Sequence, residues 1–284
     1  MKIRLGTRGS RLALWQANRV AGLISKAEAG IDVELVIIKT TGDERSEFGD
    51  FAPEQVGEFT GELEKKLLQR EIDAAVHSAK DLPTRLPKGL VVAAYPERAD
   101  PRDALVRRDT GGKEPPKGAV IATGSPRRDM LWRERWKETK TREIRGNVDR
   151  RMEKLQEQTD LWGLVLACAG IDRLGGVPEK LAMERLDSAW MVPSPGQGAL
   201  AVECRADNPA VVKALKKIDD PKVRACVEAE KGFLSKWGGG CSESLGALGT
   251  LQPNGTIHLQ AAVQDPRGGV LRAQMEGPVT EAEL

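Results

Sequence analysis

Short apolar runs alternate along the chain with segments in which apolar residues recur every three or four positions. The runs predict β-strands at residues 2–6, 33–38, 72–77, 90–94, 120–122, 161–169 and 199–204. Most of the segments between them have helical periodicity, as after Ser10, where the apolar stripe consists of Ala13, Ala17, Val20 and Ile24. This alternation favours an α/β fold with parallel or mixed sheets.

Polar and turn-forming residues mark helix starts and crossings between units. Three such residues stand at the N-cap positions of predicted helices: Ser10, Ser125 and Asn147. Further helices are predicted over 61–71, with Leu63, Leu67 and Leu68 on one side, and over 222–237. Breaks rich in charge, proline or glycine indicate boundaries at 98–103, 192–198 and 219–221.

The overall composition excludes several classes of protein. The 284 residues carry 44 lysines and arginines against 42 aspartates and glutamates, and this balance argues against a polybasic nucleic-acid binder. An aromatic content of 4% argues against a base-stacking platform. No apolar run approaches the roughly 18 residues of a membrane-spanning helix, and no secretory signal or transit peptide is recognisable at the start. We therefore expect a soluble cytoplasmic protein.

Positive charge is concentrated between residues 121 and 155, where 11 lysines and arginines accompany 6 aspartates and glutamates. Arg127 and Arg128 directly follow one predicted helix start, and Arg151 follows another. Arg8 lies just ahead of a third. Cations in a first helical turn oppose the helix dipole, which prefers anions there by about 0.3–1 kcal/mol per charge. A bound polycarboxylate or phosphate explains this arrangement, with a solvated basic surface as the alternative.

Lys80 and Asp81 directly follow the predicted buried strand that ends at His77 and Ser78. Ligands of α/β proteins bind beyond the carboxyl ends of strands, so a carboxylate there could stabilise a cation or relay a proton. A helix-capping aspartate is the alternative. We interpret His77 as a structural residue.

The four cysteines occupy two kinds of sequence environment. Apolar neighbours predict core positions for Cys168, Cys204 and Cys226. Cys241 instead follows three glycines and precedes polar residues, which suits a nucleophile or a covalent attachment point. A loop cysteine without function is the alternative. Their scattered positions, and a total of two histidines, favour neither a disulfide framework nor a metal site.

Several motifs occur in one order along nearly the whole chain: LGTRGS (5–10), LALWQA (12–17), AVHSAKDLP (75–83), ERADPRDA (97–104), TGSPRR (123–128), RGNV (145–148), PGQGA (195–199), ECR (203–205) and GGC (239–241). In sequence and order they resemble the porphobilinogen deaminase (hydroxymethylbilane synthase) family of tetrapyrrole biosynthesis. The resemblance implies two α/β domains, similar to type II periplasmic binding proteins, around a cleft, and a small α/β C-terminal domain. Domain 1 would comprise 1–96 and 197–216, domain 2 would comprise 97–196, and domain 3 would comprise 217–284.

The resemblance also implies a covalent dipyrromethane cofactor joined to Cys241 by a thioether bond. Four porphobilinogen molecules would be added in turn, each losing ammonia, before water releases hydroxymethylbilane. Asp81 matches the family's catalytic aspartate, which would stabilise the cation that forms as ammonia leaves. Cofactor and substrate would be bound by Arg8, Ser10, Gln16, Ser78, Lys80, Thr123, Ser125, Arg127, Arg128, Arg145, Arg151, Arg173 and Gln197. No metal is implied, and the protein would act as a monomer.

Three features depart from the family pattern. Residues 51–64 contain no lysine, although family members often carry lysines there, and we hypothesise that this loop covers the cleft but leaves carboxylate binding to the arginines. A Ser-Glu-Ser-Leu stretch follows Cys241 where a Val-Pro-like stretch is usual in the family. The sequence also stops where family members normally continue into a C-terminal helix, so we expect a third domain that is either truncated or small. Two other functions are alternatives: a non-catalytic anion-binding receptor or regulator, and a nucleic-acid binder that uses the basic stretch.

Overall fold

The computed structural model describes residues 1–39, 60–108, 114–238 and 243–279. Its strands are β1 (Lys2–Thr7), β2 (Asp32–Ile37), β3 (Ala74–Ser78), β4 (Leu90–Ala94), β5 (Asp103–Arg108), β6 (Val120–Ala122), β7 (Lys140–Arg142), β8 (Gly163–Ala167), β9 (Leu181–Arg185), β10 (Leu200–Arg205), β11 (Leu245–Leu251), β12 (Thr256–Gln264) and β13 (Val270–Pro278). Its helices are α1 (Arg11–Ala27), α2 (Gly61–Leu68), α3 (Pro126–Arg135), α4 (Val148–Glu157), α5 (Cys168–Arg173), α6 (Pro209–Lys216) and α7 (Pro221–Trp237). They form two mixed five-stranded sheets and one three-stranded antiparallel sheet, which confirms the α/β prediction.

The first sheet has the strand order β2-β1-β3-β10-β4. Strand β1 runs parallel to β2 and β3, whereas β10 runs antiparallel to β3 and β4. Helices α1 and α6 cover one face, because their apolar stripes pack against alternate residues of the strands. Leu63 and Leu67 of α2 pack on the opposite face. A strand from far downstream therefore lies inside a sheet built mainly by the first hundred residues.

The second sheet has the order β7-β6-β8-β5-β9, with β6 parallel to β7 and β8 and with β5 antiparallel to its neighbours. Met152 and Leu155 of α4 pack on one face. Trp132 of α3 packs on the other face, in a cluster that includes Leu248 and Ala262 of the third sheet. Because this cluster contains residues of both sheets, the second and third sheets share apolar contacts. The third sheet, β11-β12-β13, also packs against α7.

Most predicted elements are present, with several corrected boundaries. The strands at 90–94 and 120–122 have the predicted bounds. The strand predicted over 161–169 is wrong at its end, because β8 stops at Ala167 and Cys168 begins α5. Helix α2 ends at Leu68, three residues before the predicted end, and Arg70 has a left-handed φ of 62° that a helix cannot accommodate. Leu68 is 47% exposed, so its predicted place on the apolar side is also wrong.

Capping residues explain where the helices begin. The Ser10 and Ser125 side chains accept hydrogen bonds from the first turns of α1 and α3, as predicted. Asn147 stands at the N-cap of α4, but its side chain makes no capping hydrogen bond. Asp220 caps α7, which begins at Pro221. In the part of the chain that the structure describes, no helix is both long enough and apolar enough to span a membrane.

Candidate active site

One edge of the first sheet gathers the predicted residues of that sheet. Because β1 and β3 are parallel, the segments after them leave at the same edge, and they carry Arg8 and Ser10 after β1 and Lys80 and Asp81 after β3. Gln16 of α1 is buried, and its Nε2 donates to Ser78 Oγ at 3.0 Å. Asp81 is exposed and ends a single 3₁₀ turn, Ala79–Asp81. An ionisable carboxyl group therefore stands at this edge with access to ligands.

The matching edge of the second sheet carries a second group of predicted residues. Thr123 and Ser125 follow β6, and Arg173 ends the helix that follows β8, the parallel neighbour of β6. Thr123 Oγ1 accepts from Ser125 N at 3.2 Å, and Ser125 Oγ accepts from Arg128 N at 3.4 Å. These hydroxyl groups fix the entry into α3, where the arginines lie.

Two crossing segments join these edges. Arg98 and Ala199 form an antiparallel bridge, and Ala99 N donates to Gly198 O at 3.1 Å. Gly198 has a φ of +86°, and a Cβ added there would lie 2.5 Å from Ala99 O, so only glycine fits at this position. Glu230 of α7 bonds to both crossing segments, since it accepts from Arg98 Nη1 at 2.6 Å and from Gly196 N at 2.6 Å. The junction that was predicted as a turn-rich break is thus tightly bonded.

Arg127 and Arg128 share one internal counterion, Asp103, the first residue of β5. Asp103 is fully buried and accepts from Arg127 Nη1 at 2.7 Å, from Arg128 Nε at 2.9 Å and from Gln197 Nε2 at 3.0 Å. Despite its burial, the two guanidinium charges lower the pKa of Asp103 to about 2. The anion that the arginine pattern predicted near this helix start therefore includes a carboxylate of the protein itself. Contact of these arginines with a ligand stays a prediction.

Gln197 belongs to the same buried network. Its Nε2 also donates to Pro101 O at 2.7 Å, and its Oε1 accepts from Arg128 Nη2 at 3.4 Å. With 1% of its surface exposed, Gln197 has its side-chain polar atoms bonded inside the protein. The structure gives it a place beneath the predicted site, and its contact with a ligand is untested.

Lys80 connects the two edges electrostatically. Burial, together with the charges of Arg128 and Arg127, lowers its pKa from 10.5 to about 8, while Asp81 and Asp103 act in the opposite direction. Lys80 is therefore close to the arginine network and adjoins Asp81 in the chain. At pH 7 it carries a positive charge in a half-buried position.

The remaining predicted cations lie on α4 and α5, in the loop before α4 and in the turn after β1. Arg145 Nε donates to Glu143 Oε1 at 2.7 Å, and Arg151 Nε donates to Gly146 O at 2.6 Å. Arg173 is 8% exposed, and its Nη2 donates to Gly198 O at 2.7 Å, which ties α5 to the junction. Burial lowers the pKa of Arg173. Arg8 is half-buried in the turn after β1.

His77 and three cysteines have the structural roles that were predicted. His77 is buried and its Nε2 lies 3.1 Å from Glu203 Oε2, on the face of β3 that packs against α2. Cys168, Cys204 and Cys226 are buried, and burial raises the pKa of each thiol. Cys241 lies outside the described residues, as do residues 51–59 of the lysine-free loop.

Sequence reasoning missed Asp103, Glu230 and Trp15. Asp103 stood in a run that was interpreted as a domain boundary, and its only signal was a carboxylate 24 residues before Arg127 in a chain rich in charge. Glu230 lies on a helix face whose partners are remote in sequence. Trp15 lies beside Arg173, whose guanidinium carbon is 5.5 Å from the centroid of the Trp15 ring. The exposed Asp81 carboxylate thus stands at a sheet edge that also carries the cations of Arg8 and Lys80 and the hydroxyl group of Ser10.

Comparisons with known proteins agree with this chemistry. A family model described as "Porphobilinogen deaminase, dipyromethane cofactor binding domain" matches residues 3–213, and one described as "Porphobilinogen deaminase, C-terminal domain" matches residues 224–284. The porphobilinogen deaminase of Syntrophomonas wolfei is 43% identical over 92% of this chain and 84% of its own length. That of Acidothermus cellulolyticus is 45% identical over 94% of this chain and 80% of its own length.

Solved structures that are similar to this chain are much more distant in sequence. A periplasmic binding protein of Salmonella typhimurium is 14% identical, covers 83% of this chain and 98% of its own, and has a TM-score of 0.46. The Bordetella pertussis BvgS VFT2 domain is 15% identical, covers 83% of this chain and 93% of its own, and has a TM-score of 0.45. On the family models and the curated relatives, the chain belongs to the porphobilinogen deaminase family of enzymes of tetrapyrrole biosynthesis.

Proposed function

We propose that this chain joins four porphobilinogen molecules head to tail on its dipyrromethane cofactor and releases hydroxymethylbilane by hydrolysis. Each addition breaks the carbon–nitrogen bond of an aminomethyl group, releases ammonia and forms a carbon–carbon bond between pyrroles. Porphobilinogen carries an acetate and a propionate, so each addition brings two further negative charges to the protein. The observation that carries the proposal is the exposed Asp81 carboxylate at an edge lined with cationic donors.

The chemistry of the donor set fits a dipyrromethane with its carboxylate groups. The set combines guanidinium, ammonium and hydroxyl donors, and Arg173 Nε is buried without an acceptor. Carboxylate groups would be held by Arg8, Ser10, Gln16, Ser78, Lys80, Thr123, Ser125, Arg127, Arg128, Arg145, Arg151, Arg173 and Gln197. When bound, the cofactor supplies the pyrrole carbon to which the first substrate is joined. Arginine forks suit this role, because each can bind a carboxylate with two parallel hydrogen bonds.

Cys241 is the proposed attachment point, through a thioether bond from its sulfur. The glycines before it follow α7, whose last turn ends at a left-handed Gly238, and leave the backbone room beside a bulky group. Intact mass tests the attachment: the native protein should exceed its sequence mass of 30.9 kDa by the mass of one dipyrromethane. Cys241→Ser should lose that excess, whereas Cys226→Ser, a buried cysteine, should keep it. A native protein without added mass, under conditions that preserve thioethers, would refute the assignment.

Asp81 is proposed as the catalytic residue. Its carboxylate would stabilise the positive charge that develops on the methylene carbon as ammonia leaves, and a cleft of low dielectric strengthens that interaction. Lys80, beside it, would bind a carboxylate of the substrate, so that the reacting methylene lies over the aspartate.

Substitution of Asp81 by Asn tests this role, since it keeps the shape and removes the charge. We expect Asp81→Asn to remain folded and to lose at least about a hundredfold in turnover, in line with the loss of one electrostatic contact in a transition state. Asp160→Asn removes an exposed carboxylate that pairs with Arg142 instead, and should leave turnover unchanged. Near-normal turnover of Asp81→Asn would contradict the assigned role.

We also propose the domain division of 1–96 with 197–216, 97–196 and 217–284. It is supported by the sheets, since β10 joins the first, β5 to β9 belong to the second, and β11 to β13 form the third. Action as a monomer in the cytoplasm is a further part of the proposal. Sedimentation velocity of the purified protein tests the monomer, and a stable dimer at micromolar concentration would contradict it.

A further inference from the structure

Arg173 is a buried guanidinium that lacks a bonded carboxylate among the described residues. Its one hydrogen bond there runs from Nη2 to Gly198 O, and its Nε is enclosed without an acceptor. Glu97 and Asp172 raise its pKa only as neighbouring charges, and their effect is smaller than that of burial. A buried cation without a paired anion is costly, so some other contact must hold it.

That contact is the ring of Trp15. Arg173 Cζ lies 5.5 Å from the centroid of the Trp15 ring, within the range of a cation–π interaction. Trp15 belongs to α1 on the first sheet, whereas Arg173 ends α5 on the second. The pair therefore spans the two groups of predicted site residues.

The surroundings of Trp15 argue against a role as a core residue. Its side chain is 39% exposed, and it belongs to none of the buried apolar clusters of the described residues. An exposed tryptophan beside a buried guanidinium is better explained by what it does to that guanidinium.

We propose that Trp15 is a positioning residue that sets the plane of the Arg173 guanidinium for carboxylate binding. The ring beside the guanidinium limits the orientations that its plane can take, and the N–H groups that the ring does not cover are left to a carboxylate of the cofactor or the growing chain. The hydrogen bond to Gly198 O fixes the plane from a second direction. This inference rests on the proposed role of Arg173 as a carboxylate-binding residue.

The test compares Trp15→Leu and Trp15→Phe with the native holoenzyme, by the KM for porphobilinogen and by kcat. Trp15→Leu should raise KM about tenfold, which corresponds to about 1.4 kcal/mol, with kcat changed by less than about threefold. Trp15→Phe keeps an aromatic face and should restore KM to within about threefold of the native value. A merely structural role would lower stability without this rescue and without a change confined to KM.

Trp162 provides a matched control. The centroid of its ring lies 6.0 Å from the guanidinium carbon of Arg107. Like Arg173, Arg107 is buried and has an Nε without a hydrogen-bond acceptor. Unlike Arg173, it is not among the predicted ligand-binding residues. Trp162→Leu removes an equivalent contact and should leave KM within about twofold. An equal rise of KM in Trp162→Leu and Trp15→Leu would overturn the proposal.

Arg173→Leu separates this proposal from the proposed function. If Arg173→Leu leaves KM unchanged, the carboxylate-binding role of Arg173 is wrong and the Trp15 proposal falls with it. If Arg173→Leu raises KM and Trp15→Leu does not, the Trp15 proposal alone is wrong. Loss of both side chains should raise KM no further than loss of Arg173. Should Trp15→Leu fail to fold, Trp15→Met must show a higher KM than Trp15→Phe. Equal KM values for these two variants would refute the proposed role of the aromatic ring.

Discussion

Asp103→Asn removes the charge of the one carboxylate that Arg127 and Arg128 share, while keeping the side chain's shape. Removing one partner of a buried ion pair leaves uncompensated charge and typically costs about 3–5 kcal/mol. The pKa of Asp103, about 2 against an ordinary value of 3.8, corresponds to a contribution of about 2.5 kcal/mol, because one pKa unit corresponds to about 1.4 kcal/mol. We therefore expect the variant to lose about 3 kcal/mol of unfolding free energy at pH 7.

Urea titration followed by tryptophan fluorescence measures this loss, because tryptophans surround the relevant part of the second sheet: Trp132, Trp136, Trp162 and Trp190. A carboxyl group whose pKa is lowered on folding stabilises the protein above its unfolded pKa and loses that contribution as the pH falls through its folded pKa. The native protein should thus lose stability between about pH 4 and pH 2 through Asp103, and Asp103→Asn should lack that part of the decline.

Asp129→Asn is the control for an ordinary surface pair. Asp129 bonds Arg133 at 2.8 Å but is 36% exposed, so its loss should cost less than about 1 kcal/mol. A cost below 1 kcal/mol for Asp103→Asn at pH 7, or an acid decline as steep as that of the native protein, would show that the shared carboxylate does not stabilise the arginine network.

Further predictions concern Lys80, Glu230 and Gly198. Because the pKa of Lys80 is about 8, its ammonium loses charge between pH 7 and pH 9, and KM for porphobilinogen should rise over that interval. Lys80→Arg should abolish the rise. If KM of the variant rises with pH as in the native protein, the role of the Lys80 charge is wrong. Glu230→Gln leaves the largely buried Arg98 without its counterion and should cost about 3 kcal/mol in urea titrations, and a loss below 1 kcal/mol contradicts it. Gly198→Ala places a Cβ 2.5 Å from Ala99 O and should lower the free energy of unfolding by several kcal/mol. Gly255→Ala is the control and should cost less, because φ there is +82° but the space is open. Equal losses in the two variants would contradict the role of close packing.

Local chemistry made much of the fold predictable. Strands β4 and β6 were found with their bounds because each is a short apolar run between turn residues. Ser125 and Asp220, each followed by proline, mark helix starts by interactions within four residues. The position of Lys80 and Asp81 after β3 was also predictable, because it depends only on where a buried strand ends.

Features that depend on distant parts of the chain were not predictable in this way. Counting arginines identified a basic region, but it could not reveal that Asp103 is bonded to two of them, since the contact requires β5 and α3 to be placed side by side. The same holds for Trp15 and Arg173, which come from different sheets. Helix α2 was predicted three residues too long because the left-handed backbone at Arg70 has no glycine to signal it.

The place of β10 in the first sheet has a consequence for biosynthesis of the chain. Residues 200–205 lie between β3 and β4, so this sheet cannot close on the ribosome until the chain has been made as far as residue 205. All five strands of the second sheet lie between residues 103 and 185, so that sheet can form earlier. The sheet that positions Asp81 can therefore be completed only after the sheet that positions most of the arginines has been synthesised, and its long-range strand pairing favours slower folding.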